Sequence, residues 1–70
     1  MRILIVVEET GTGYSAYSPD LPGCAATGQT REEVEKTMQE AIALHFDALR
    51  EDGQDVPPPK SYATYVEVAA

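Results

Sequence analysis

Three sets of residues in this sequence could carry chemistry. The first is acidic: Glu8 at the end of an apolar run, Glu35 at the margin of an amphipathic stretch, and Glu67 near the last residue. Carboxylates converging from two strands and a helix can hold paired divalent cations against a phosphodiester, as a metal-dependent nuclease requires. The run at 3–7 offers no carboxylate before Glu8, so solvated surface acids explain the three more simply. The second set is Cys24 with His45, a conceivable thiol nucleophile and base. No third, orienting group stands at a recognisable spacing, and Cys24 reads as a small apolar residue opening a strand. For His45 as a metal ligand there is no second His and no second Cys. A partly buried imidazole hydrogen-bonded to the sheet or to a neighbouring subunit is the expectation. The third set, Gly11-Thr12-Gly13, lacks the Lys and the helix start of a phosphate-cradling loop, and a hairpin turn accounts for it. No catalytic residue, cofactor or metal is expected.

These residues are positioned by elements that the sequence marks clearly. Arg2 to Glu8 reads as a strand, almost all β-branched and apolar at both parities, hence a central strand with both faces covered. Glu9 to Gly13 is a polar turn leading to an antiparallel partner at Tyr14–Tyr17, which stops before Pro19 because proline cannot donate to a ladder. Pro22-Gly23 reverses the chain, with Asp20 available to accept a nearby backbone N–H, and Cys24 to Thr27 returns as the third strand. Thr30 and Glu33 form a capping box ahead of a helix from Arg31 to about Glu51. Its apolar face carries Val34, Met38, Ala41, Ile42, Phe46 and Leu49; Gly53 supplies the stop. Pro57-Pro58-Pro59 is a stiff connector to a last strand at Tyr62–Val68, with Tyr62, Thr64, Val66 and Val68 on one face. The order β-β-β-α-β and the right-handed crossover rule predict an α+β fold. Its four-stranded mixed sheet has order 3-2-1-4 and one helix on one face.

Composition narrows the function. Seventy residues allow one small domain, 1–70, with a thin stability margin that favours a partner. The net charge is -7, and the five Lys and Arg residues are dispersed, which disfavours direct nucleic-acid binding and suits a basic protein partner. One cysteine permits no intrachain disulfide. The apolar run at 3–7 is too short for a signal peptide or a membrane span, so a cytoplasmic protein is expected.

Tyr14, Ala16, the run Pro19-Asp20-Leu21-Pro22-Gly23-Cys24, Gly28, Thr30 and Glu32-Glu33 resemble the signature of the HicB-like antitoxins of bacterial type II toxin-antitoxin systems. Glu40-Ala41-Ile42, Leu44-His45, Asp52-Gly53 and Val56-Pro57-Pro58-Pro59 extend the likeness over nearly the whole chain. The resemblance implies a partial ribonuclease H-like fold and a non-enzymatic protein that neutralises a small basic ribonuclease toxin of the HicA type. Many such antitoxins continue into a helix-turn-helix or ribbon-helix-helix segment, and these residues stop short of one, so operator contacts are not expected from them. Open sheet edges and acidity place the candidate partner surface at Glu8, Glu9, Tyr17, Asp20, Leu21, Pro22, Gly23 and Cys24, and point to a homo-oligomer. An orphan oligomeric scaffold or small-ligand-binding protein of the same fold is the alternative, and a metal-dependent nuclease the third reading.

Overall fold

The computed structural model describes residues 1–70. Val6–Glu9 (β1), Tyr14–Tyr17 (β2) and Ala25–Gly28 (β3) form a three-stranded antiparallel sheet in the order β1-β2-β3. Val7 lies opposite Ala16, and Ala16 opposite Ala26. The alternation of a strand sends this row to one face and the Val6–Tyr17–Ala25 row to the other.

The first face meets the helix Arg31–Glu51 (α1). Thr30 is its N-cap, accepting the Glu33 N–H on its side-chain oxygen at 3.1 Å. Gly53 ends it at φ +73, with the Gly53 and Gln54 N–H groups donating to the Arg50 and Leu49 carbonyls. That pair of bonds is a Schellman stop, which a residue with a Cβ would strain. Val34 and Met38 reach full burial among Ala16, Leu21 and Cys24, while Ala41, Ile42 and Phe46 pack at the margin. Gly28 allows the close approach of helix to sheet: a Cβ there would stand 2.8 Å from the Val34 nitrogen.

The four-stranded mixed sheet of order 3-2-1-4 does not form. Tyr62–Val68, expected as the fourth strand, lies in no strand and pairs with nothing. The expected central strand is also shorter and lies at an edge, because β2 ends at Tyr17 and leaves Arg2–Ile5 without a ladder partner. Ser18 takes over there, donating from Oγ to the Leu4 carbonyl at 3.0 Å. Beyond the triple proline, Asp20 grips Lys60 and Ser61, and Ser61, Tyr62 and Ala63 line a cavity with Arg2, Ile3 and Leu4 without joining the ladder. The result is an elongated molecule, 49 × 28 × 17 Å.

Candidate functional site

Two nested turns build the corner between β2 and β3. The Leu21 N–H donates to the Ser18 carbonyl at 3.2 Å, and the Cys24 N–H to the Leu21 carbonyl at 3.1 Å. Pro22 presets the second turn, and Gly23 accepts its φ of +83, the geometry of a type II turn. This arrangement turns Leu21 and Cys24 inward, where both are buried in the core cluster, and leaves Pro22 and Gly23 exposed as the rim. Burial pushes the Cys24 thiol up, away from the reactive thiolate.

Asp20 serves as an anchor rather than bonding within its own turn. The Lys60 and Ser61 N–H groups each donate to its Oδ2 at 3.2 Å, and the Ser61 hydroxyl donates to Oδ1 at 2.9 Å. Partial loss of water raises the carboxyl pKa. The Ser61 and Lys60 hydrogen bonds and the Lys60 charge outweigh that and hold it below the ordinary value. No sequence signal named Ser61 as the partner of Asp20, because the two lie forty-one positions apart.

On the far face of the sheet, Tyr17 is 45% exposed and stands between Val6 and Ala25, with Ser15 and Thr27 in the next row. Glu8 lies opposite Ser15 on that same exposed row, and Glu9 is exposed at the end of β1. Small side chains around one tyrosine leave a shallow depression lined by Ser15, Tyr17, Ala25 and Thr27. Of the sequence-selected residues, the fold therefore brings Glu8, Tyr17, Pro22 and Gly23 to the surface of the sheet and its corner. Leu21 and Cys24 lie inside, and the Asp20 carboxylate is occupied by its own chain.

The chemical constellations do not assemble. No group of three or more His, Cys, Asp or Glu side chains is placed to hold a metal ion. Glu35 lines a groove on the helix side, whereas Glu8 belongs to the opposite sheet face and Glu67 to the projecting segment. His45 is half-buried, and its ring makes no hydrogen bond to the sheet.

A family model for the HicB_like antitoxin of bacterial toxin-antitoxin systems matches residues 2–69. The chain belongs to the HicB-like antitoxin family. It is 35% identical, over its whole length, to Antitoxin HicB 2 of Photorhabdus laumondii, of which it covers 51%. A 14.9 kDa protein of Haemophilus phage HP1 is 32% identical over 89% of this chain and 47% of its own length. The HicB-like chain thus spans about half the length of these curated relatives. Among solved structures, it matches a chain of the HicA3 and HicB3 toxin-antitoxin complex with a TM-score of 0.65 and 35% identity. That match covers 83% of this chain and 72% of the other. No helix here is long and apolar enough to cross a membrane.

Proposed function

We propose that this HicB-like chain is a protein-interaction module that binds a small basic ribonuclease toxin of the HicA type and masks its active surface, acting in the cytoplasm without chemistry of its own. The likeness to a chain of the HicA3–HicB3 complex carries this reading. The charge of -7 supports it, since an acidic module steers and selects a basic partner. The proposed contact centre is Tyr17 on the open sheet face, with Glu8 on the same face, Glu9 at the exposed end of β1 and Pro22-Gly23 as the rim. A rigid aromatic among small residues has the character of an interface anchor. Asp20, Leu21 and Cys24 act beneath that surface by holding the corner in shape. The dispersed cations leave no basic patch for operator DNA, so no direct nucleic-acid contact is assigned to these residues.

The test is titration calorimetry of the chain against a HicA-type toxin, paired with a ribonuclease assay. A stoichiometric complex that silences cleavage and weakens with salt is the expected result. Tyr17→Ala should loosen it by tenfold or more, on the order of the 2 kcal/mol typical of an aromatic anchor. Full ribonuclease activity in the presence of excess chain would refute the reading.

A further inference from the structure

We propose, resting on the toxin-binding reading, that the open sheet face is a receptor for an arginine side chain of the partner: the guanidinium lies flat on the Tyr17 ring and turns its N–H edge to the Glu8 carboxylate. Pairing across the three strands arranges that face in two rows. Val6, Tyr17 and Ala25 form one, and Glu8, Ser15 and Thr27 the other. The first row is a single aromatic ring flanked by small aliphatic side chains, and the second presents only oxygen atoms. Rows two residues apart along a strand are separated by about 6.8 Å, and neighbouring strands by about 4.8 Å. A planar guanidinium spans that gap, with its face on the ring and its edge on the oxygens.

Every group that such a ligand needs is free. The helix packs on the opposite face of the sheet, and Tyr17 is exposed in a depression shared with Ser15, Ala25 and Thr27. The hydroxyls of Ser15, Tyr17 and Thr27 take no part in the side-chain hydrogen bonds of the chain. Glu8 is exposed and forms no ion pair; the one salt bridge joins Arg50 to Asp47 on α1.

Charge selects the occupant. Glu8 is the only ionised side chain among the six paired positions of this face, and none of them carries Lys or Arg. A partner that covers the face strips water from Glu8, and a carboxylate buried without a cation is costly. The compensating charge must therefore come from the partner. An apolar plug would fill the Tyr17 row and strand Glu8. A lysine would meet Glu8 as a point charge, with too few donors in one plane to serve Ser15 and Thr27 as well. Five N–H donors fixed in a plane match a ring and a row of oxygens together, and the aromatic face itself attracts the cation.

The test is calorimetry with a HicA-type toxin, comparing the unaltered chain with Tyr17→Phe, Tyr17→Leu, Glu8→Gln and the Tyr17→Leu/Glu8→Gln double variant. Tyr17→Phe keeps the ring and should bind within about threefold, whereas Tyr17→Leu keeps apolar area alone and should loosen the complex about tenfold. Glu8→Gln should loosen it about fivefold and flatten its salt dependence. The double variant should lose less than the product of the two, because both groups hold one side chain. Phenylglyoxal, which modifies arginine, gives a second readout. At saturating chain, an arginine of the toxin should be protected in the unaltered complex and reactive again in the Tyr17→Leu complex. All the substituted side chains are exposed, and circular dichroism checks that the fold is kept. A toxin still bound and silenced while Tyr17→Leu matches the unaltered chain, or while no arginine is protected, would overturn the arginine receptor and leave the toxin reading standing. A chain that binds no such toxin would overturn both.

Discussion

Replacing Leu21 by Ala should be the most damaging single change outside the helix. Leu21 is 1% exposed, at the apex of two nested turns, and one of only five residues in the buried core cluster. Truncation removes three carbons, worth roughly 2–2.5 kcal/mol in transfer free energy at ~0.8 kcal/mol per buried CH₂. The turns on either side hold the backbone open, so the site collapses little and the cavity term brings the loss to about 3 kcal/mol. A chain of this size has only about 3.5–10 kcal/mol in total. Urea unfolding followed by circular dichroism reads the loss directly. With a slope near ~1 kcal/mol/M for so small a protein, the midpoint should fall by about 3 M at an unchanged slope. All samples must be compared at one protein concentration, because association raises apparent stability. Pro22→Ala is the control: its side chain is exposed, and relaxing the turn should cost no more than about 1 kcal/mol. If Leu21→Ala moved the midpoint by less than Pro22→Ala does, the corner would not be part of the core, and the account of the Ser18–Cys24 segment would be wrong.

Two further changes test the helix seat and the anchor. Gly28→Ala should cost about 1–3 kcal/mol by overpacking, since its Cβ would meet the Val34 backbone at 2.8 Å and 3.0 Å, and thermal unfolding will show it. Asp20→Ala should free the Lys60 and Ser61 amides, read as lost hydrogen-exchange protection at both, with α1 unaffected. Because the folded Asp20 pKa is lowered, its anchoring contribution is full above the unfolded carboxyl value. It is lost as pH falls through the folded one, so protection at Ser61 should persist through mildly acid pH and fade only below the ordinary carboxylate range.

Local signals in the sequence carried the helix and the corner. The Thr30 cap, the 3.6-residue stripe from Val34 to Leu49 and Gly53 each act within one or two turns of chain, and α1 begins and ends where they place it. Pro22-Gly23 likewise forms its turn from residues in direct succession. What depended on distant pairing came out differently. The apolar run at 3–7 and the alternation at 62–68 were read as strands, yet only Val6 and Val7 of the first run join the sheet and no residue of the second lies in a strand, because a strand needs a partner edge and local pattern does not supply one. The same distance problem governed the candidate surface. A proline-glycine turn looks exposed in sequence, yet the residues flanking it, Leu21 and Cys24, point inward because the turn sits where the sheet meets the helix. Asp20 was legible as a hydrogen-bond acceptor, but its donors come from the far end of the chain.

The buried position of the single cysteine makes the protein its own reporter of motion. A thiol reagent can reach Cys24 only when the corner between β2 and β3 swings out, because the side chain is buried and its pKa is raised. The rate of alkylation therefore clocks that opening, and any molecule that clamps the corner shut will slow the clock without a label having to be introduced.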